Sequence, residues 1–320
     1  MIHGTLFLFQ RDKNFLDANG FTEPSLNQME NFINLKFRLV SKGFSQVEGI
    51  EYIETFSLVS KMNSIFLSLS LVAYFKWEFH QMDVKSAFLH GDLHEEIYME
   101  QPLRFIQIDS NLVCQLKKSL YGLKKSPRTW YAKMDSFLSD TTFSWCHSKN
   151  IVYTKKVGKS LIILILYVDD IILNGGDPNL VNHVKCRLKK EFEMEDLGNL
   201  HYVLGLQVLK SKECISLSQS KYACDLPCHF CMDDCKPTPS TFQSGAKLFV
   251  TCTSPEVDAT LYHHLVGKSF YLTHTHPHLS FVVGLVSRFM KNPHEIHWKA
   301  SKRILHYVRG TIQFGIHYNT

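Results

Sequence analysis

The most sharply patterned stretch of the chain is LIILILYVDDIILNGG, residues 161–176, where an apolar run meets Asp169 and Asp170 and resumes behind them. An Ile- and Leu-rich run that stops at Asn174-Gly175-Gly176 predicts a β-hairpin: a buried strand, a tight turn at the acids, and a return strand over Ile171–Leu173. The run is shorter than the roughly 20 apolar residues of a membrane span, and two charges sit in its middle. Adjacent carboxylates among apolar neighbours are costly to bury unless something balances their charge. A hairpin tip would present them to a divalent cation; the plain alternative is a surface turn that carries Asp-Asp.

Elsewhere the pattern is shorter but readable. Residues 1–35 show no sustained period, and Asp17-Ala-Asn-Gly20 reads as a turn. Lys36–Val40 predicts a short strand, and Ile65–Phe75 has helical character. Glu78–Val84 alternates as a strand, with Phe79, Gln81 and Asp83 on one face and His80, Met82 and Val84 on the other. Ile97–Met99 and Leu112–Leu116 predict further strands. A helix should start at Ser126-Pro127, with Ser126 as N-cap and Pro127 at the first helical position. Trp130, Tyr131, Met134, Phe137 and Leu138 then form one apolar stripe, most simply core packing. A helix over Pro178–Phe192 and strands over His201–Leu209 and Cys214–Leu217 follow. Beyond Gln219 the character is helical, with a loop over Lys236–Ser254 and helices near 258–272, 278–291 and 294–309. Strands and helices do not alternate regularly, so the expected class is α+β, with a mixed region to about residue 218 and a mainly helical one after it.

Composition narrows this only a little. At 320 residues, 45% hydrophobic and 20% charged, the chain has the make-up of a globular protein with ample core. The net charge of +5 is a mild bias, but its placement is uneven. Lys117, Lys118, Lys124, Lys125, Arg128 and Lys133 run with no acid among them, and Arg288, Lys291, Lys299, Lys302, Arg303 and Arg309 form a second cluster. Such clusters suit a polyanion, although a solvated helix face is the commoner meaning of any one of them. Nine cysteines without a secretory signal argue for a reduced, intracellular protein with no disulfide framework. No membrane segment, repeat or low-complexity tract is apparent.

Asp83, at a strand end, becomes important if its strand lies beside the hairpin. Three clustered carboxylates repel one another unless divalent cations sit among them. Two Mg²⁺ ions about 4 Å apart would meet that need and serve phosphoryl or nucleotidyl transfer. The turn Gly122-Leu-Lys-Lys-Ser-Pro127 before the helix would bring positive charge and backbone donors to phosphates.

Three motifs occur in order: Gln81-Met-Asp-Val-Lys-Ser-Ala-Phe-Leu89, Ser119-Leu-Tyr-Gly-Leu-Lys-Lys-Ser-Pro127 and Tyr167-Val-Asp-Asp170. With Lys36-Phe-Arg-Leu-Val-Ser-Lys-Gly-Phe44, Tyr98-Met-Glu-Gln-Pro102, Cys235-Lys-Pro237 and Ser287-Arg-Phe-Met290, they make the chain from about Lys36 onward resemble the reverse transcriptase of copia-type LTR retrotransposons. The resemblance implies the polymerase right hand, with fingers and palm over 36–218, a helical thumb and connection over 219–320, and an unmatched segment over 1–35. It implies RNA-directed DNA synthesis with Mg²⁺ (Mn²⁺ as substitute), a primed RNA or DNA template and deoxynucleoside triphosphates, away from any membrane, in a cytoplasmic particle or the nucleus. Asp83 and Asp169 would be the principal catalytic metal ligands, with Asp170 beside them. Phe88 would crowd the 2′ position of the incoming nucleotide. Tyr121 and Gly122 would lie against nucleotide and template, and Lys36 and Arg38 would approach the triphosphate. Tyr167, Lys124, Lys125 and Arg128 would face nucleic acid, and Leu204-Gly205 would hold the primer 3′ end.

Several positions depart from the family pattern. A fingers strand with a Trp-Val-(Phe/Tyr)-Lys pattern is not found in residues 1–35. Phe66 stands where Arg is usual, and Glu195 where Lys is frequent. Pro227 falls inside the expected first thumb helix and should kink or stop it, at about 3 kcal/mol. The chain stops at Thr320, before the family's RNase H motif, and no integrase precedes it, as expected of one polymerase segment of a polyprotein. Two other readings stay open. One is a catalytically inactive remnant that only binds nucleic acid through the two basic clusters. The other is a zinc-stabilised interaction domain built on Cys224, Cys228, His229, Cys231 and Cys235, whose spacing is not that of a common zinc module. The histidines from His263 to His278 show no ligand spacing.

Overall fold

The computed structural model describes residues 4–8, 18–26, 33–49, 52, 62–101, 112–145, 152–243, 245–249 and 253–319, those before 39 by backbone alone. The chain divides into two compact units: Met1–Ser68 with Trp77–Asn199, and Leu69–Lys76 with Leu200–Thr320. In the first, the order is β1 (Gly4–Leu8), β2 (Ala18–Leu26), β3 (Ile33–Ser41), α1 (Met62–Phe75, shared between the units), β4 (Glu78–Val84), β5 (Tyr98–Glu100) and β6 (Leu112–Leu116). Then come α2 (Ser126–Asp140), β7 (Ser144–Trp145), β8 (Val152–Val157), β9 (Ser160–Tyr167), β10 (Asp170–Gly175), α3 (Pro178–Glu191) and β11 (Met194–Asn199).

A six-stranded antiparallel sheet, ordered β11-β4-β10-β9-β8-β7, dominates the first unit. Alternation along β4 and β10 turns Met82, Val84, Ile171 and Leu173 to one face, where they pack with Trp130, Met134 and Leu138 of α2 and Val181, Val184 and Leu188 of α3. The apolar stripe on α2 is therefore core. Each such buried side chain contributes about 1.5–3 kcal/mol, which makes the sheet a stiff support for whatever its strand ends carry. At the start of α3 the Asp177 carboxylate accepts from the Asn179 and Leu180 amides, and Pro178 takes the first turn.

In the second unit, β12 (Tyr202–Val203), β13 (Leu206–Lys210) and β14 (Cys214–Ser218) lead to α4 (Ser220–Cys228), α5 (Ala259–Leu272), α6 (Ser280–Val286) and α7 (Glu295–Gly310). The unit ends on β15 (Gly315–Asn319). β15 pairs with β14 at the edge of a four-stranded antiparallel sheet. The helices share a core of Leu226, Tyr262, Leu265, Val283, Ile304 and Leu305, among others. The α+β class is borne out.

The structure corrects several elements. Ala18–Gly20 belongs to β2 rather than to a turn, Asp17 lying outside the described residues. β10 runs on through Asn174 and Gly175, because the fully buried Asn174 donates from Nδ2 to Ser68 Oγ at 2.7 Å instead of opening a turn. The strand read over His201–Leu209 is two strands around Leu204-Gly205, both at positive φ. β1, β2, β7, β8, β11 and β15 are further strands that the sequence pattern does not predict. Helix α2 is capped by Lys125, not Ser126, whose hydroxyl turns inward to the Leu120 carbonyl. Pro227 does end α4, which stops at Cys228. Among the described residues no helix is long and apolar enough to cross a membrane.

Candidate functional site

The acids of the apolar hairpin meet Asp83 by strand register. β10 pairs with β4 so that Asp170 stands opposite Asp83, and the Val84 amide donates to the Asp169 carbonyl at 2.9 Å. Directly opposed residues in an antiparallel pair point to the same side, with Cβ atoms about 4.5–5.5 Å apart. The row extends both ways: Tyr167 of β9 stands opposite Asp170, and Glu195 of β11 stands opposite Asp83. Because Met82, Val84, Ile171 and Leu166 fill the core on the other face, Tyr167, Asp170, Asp83 and Glu195 share the face turned away from α2 and α3.

Between β9 and β10 the turn is only Val168-Asp169. Val168 has φ 55°, unusual for a β-branched residue, so the surroundings must hold it. Trp130, buried in α2, supplies the restraint: its Nε1–H donates to the Val168 carbonyl at 2.5 Å. Asp169 is exposed at the tip. Asp170 is part-buried; burial pushes its carboxyl above the usual range and the Asp169 charge adds to this, while a hydrogen bond from Gln81 Nε2 to Oδ1 at 2.9 Å works against it. Gln81 was legible, since alternation along β4 already sets it on the Asp83 face.

Other expected residues divide into two groups. Phe88, in a 3-10 turn over Ala87–His90, packs its ring on Tyr121 at 4.9 Å between centroids, so these two are brought together. Gly122 has φ +92°, and a Cβ there would lie 2.0 Å from the Ser41 carbonyl oxygen; the Ser41 amide also donates to the Tyr121 carbonyl. Its glycine is thus required by close packing of the turn on the end of β3. Lys36 and Arg38 lie in β3, but their side chains fall outside the described residues.

Four lysines ahead of and within α2 are already partnered. Lys124 Nζ bonds the Tyr52 hydroxyl at 3.0 Å and sits over that ring, and Lys125 Nζ pairs with Glu95. Burial works to raise the Glu95 carboxyl, but the Lys125 ammonium holds it below the usual range. Lys118 and Lys133 both reach Asp92, which they hold low. Arg128 is part-buried in the first turn of α2. In the second unit, Leu204 and Gly205 form a tight turn with φ of 49° and 75°, and Tyr271 Oη donates to the Leu204 carbonyl at 2.6 Å.

No group of three His, Cys, Asp or Glu side chains in metal-holding geometry occurs among the described residues. Cys224, Cys228 and Cys231 are exposed and do not converge.

A family model described as reverse transcriptase (RNA-dependent DNA polymerase) matches residues 23–242, starting inside the segment that the motifs left out. The chain is 43% identical over 290 residues to the retrovirus-related Pol polyprotein from transposon TNT 1-94 of Nicotiana tabacum, covering 87% of this chain and 22% of that one. It is 39% identical over 282 residues to the corresponding polyprotein from transposon RE1 of Arabidopsis thaliana, covering 88% and 19%. A putative transposon Ty5-1 protein of Saccharomyces cerevisiae is 30% identical over 243 residues, covering 75% of this chain and 79% of that one. The chain therefore spans about a fifth of the plant polyproteins. A solved foamy viral protease–reverse transcriptase in complex with double-stranded DNA overlaps it with a TM-score of 0.46 and 11% identity, over 95% of this chain and 45% of that one.

Proposed function

The chain belongs to the reverse transcriptase family of copia-type retrotransposon Pol polyproteins, and on that premise we propose that it is an RNA-directed DNA polymerase segment extending a primer on an RNA or DNA template. The observation that carries this reading is the register of Asp170 on Asp83 with Asp169 at the adjoining turn. The donor set fits Mg²⁺ or Mn²⁺: the carboxylates are hard oxygen ligands, and burial disfavours the charged form of Asp170, a cost that a bound cation would offset. Mg²⁺ is commonly held by one or two carboxylates plus substrate phosphates, so a closed protein cage is not required. Asp83 and Asp169 would hold the metal, with Asp170 beside them; when bound, it would lower the pKa of the primer hydroxyl and stabilise the pyrophosphate leaving group.

The remaining residues position substrate. Trp130 and Val84 hold the backbone of the Val168-Asp169 turn, which would fix the point from which the Asp169 carboxylate reaches out. The Phe88 ring, backed by Tyr121, would exclude a 2′-hydroxyl and favour deoxynucleotides. Lys36, Arg38, Tyr121 and Gly122 would contact the nucleotide; Lys124, Lys125, Arg128 and Tyr167 the template-primer; Leu204-Gly205 the primer end. In this reading, fingers and palm occupy 36–218, and the thumb and connection 219–320, of a polymerase right hand.

Glu195 opposite Asp83 favours a second reading, a remnant that binds nucleic acid without synthesis, because it adds a fourth carboxylate to Asp83, Asp169 and Asp170, and with it repulsion, where the family frequently has Lys. Primer extension on an RNA template with deoxynucleotides and Mg²⁺ separates the two. The first reading expects extension that falls about a thousandfold in Asp169→Asn, a loss of about 4 kcal/mol. Folded protein that binds template-primer but never extends it would establish the second.

A further inference from the structure

Beside α7 the second unit holds an open groove of about 610 Å³. Five of its lining side chains are basic: Lys247 from the loop ahead of α5, and Lys299, Lys302, Arg303 and His306 from α7. Among the described residues no carboxylate lines it. Lys299, Arg303 and His306 follow one another at helical spacing on one face. Their surroundings fix them: Lys302 Nζ lies over the Trp298 ring at 5.1 Å, and His306 Nδ1 donates to the Lys236 carbonyl at 2.7 Å. Arg303 Nη2 donates to Thr238 Oγ1 at 3.0 Å and Ser240 Oγ at 2.7 Å.

Two features point to an anionic occupant. Among the described residues only Lys299 of these side chains forms an ion pair, with Glu295 one turn back, so most of the positive charge gathered here is not neutralised there. Arg303 Nε is also buried with no hydrogen-bond partner among the described residues, so the guanidinium is not fully satisfied by its own fold. Apart from Gln243, the rest of the lining carries no polar side chain, with Phe242, Leu248, Ile296 and Ala300 all part-buried. The volume is in the range of small-molecule sites, room for a base with its adjoining phosphates. Cations beside an apolar, aromatic-bearing wall are the elements that hold an unpaired strand: phosphates on the charges, a base against the ring.

We propose that this groove binds single-stranded nucleic acid, its cations taking successive phosphodiesters and the wall carrying Phe242 taking a base. The proposal rests on the nucleic-acid half of the reading above and not on the carboxylates. Its test is fluorescence anisotropy of a labelled single-stranded DNA and a blunt duplex of equal length, titrated with the full chain between about 50 and 200 mM salt. The double variant K247E/K302E should weaken single-strand binding at least tenfold and flatten the slope of log K against log salt by about 1.4, that is 0.7 for each lost phosphate contact. Duplex binding should change less. K159E/K190E, two exposed lysines of the first unit, makes the same change in net charge and should have a smaller effect on both.

An unchanged salt slope in K247E/K302E, or an equal loss in K159E/K190E, would overturn the proposal. So would a larger loss for the duplex, or displacement of the strand by millimolar inorganic phosphate, which would mark a small phosphate ligand instead. Matching thermal melts for all three proteins keep a folding defect apart from a binding defect. Failure of primer extension would not affect any of these outcomes.

Discussion

The turn ahead of α2 and the groove beside α7 are both rich in lysine, and their charges are balanced in opposite ways. In the first, Lys118, Lys125 and Lys133 each meet a carboxylate, Asp92 or Glu95, and Lys124 is held by Tyr52. In the second, among the described residues, Glu295 neutralises Lys299 alone, and hydroxyls or a ring hold Arg303 and Lys302 without cancelling their charge. Side-chain positions of the first kind brace the loop that carries Tyr121 and Gly122. Those of the second kind leave a field for a polyanion. A cluster of lysines therefore says little about available charge until its acidic neighbours are placed.

The comparison breaks first at Gly122. Gly122→Ala would force a side chain into the left-handed region and within 2.0 Å of a backbone oxygen. The expected loss is about 3 kcal/mol in a denaturant melt. A loss under about 1 kcal/mol would show that the basic turn is not braced on β3 as described. A smaller effect comes from unpairing the lysines. Asp92→Asn should cost less than about 1 kcal/mol per exposed pair, and Glu95→Gln, whose pair with Lys125 is part-buried, about 1 kcal/mol. Template-primer binding should tighten several-fold, as three ammonium groups lose their competing partners. Unchanged affinity would mean that these lysines serve only as braces.

The smallest effect sharpens the contrast between the units through pH. Burial holds His276, His278 and His297 of the second unit below the ordinary histidine value; the Thr311 carbonyl partly offsets this for His276, and neighbouring His278 adds to it. In the first unit, among the described residues, only His80 is resolved as lowered, with burial as the main cause and Lys185 adding to it. A histidine with a lowered folded pKa binds fewer protons folded than unfolded, so stability is complete above about pH 6.5 and declines as pH falls toward the folded value. His276→Gln should lessen that decline by a fraction of a kcal/mol in melts followed between about pH 7 and 5.5. An identical pH profile in wild type and variant would remove His276 from the account.

Legibility varied with how much each segment states about itself. β4 and β6 were read to the residue, because their apolar positions alternate and their ends are marked. β11, MEDLGN, has no strand-forming run and bends at a bulge near Gly198, so it exists only because β4 offers it an edge. That unread strand places Glu195 beside Asp83, which no local pattern reveals. Ser126 misled for the same reason. It has the composition of an N-cap, but a nearby carbonyl in the fold claimed its hydroxyl.

By itself, the sequence determined the α+β class, the apolar hairpin with its acids, the α2 and α3 faces that support it, and the family motifs, since these are set by local periodicity and turn chemistry. Tertiary structure alone decided the register that aligns Glu195, Asp83, Asp170 and Tyr167, the Trp130 hydrogen bond that steadies Val168, and which lysines keep a free charge. All three depend on partners distant in sequence. Pairing across strands and neutralisation of charge are settled by what lies opposite, and only the folded chain specifies that.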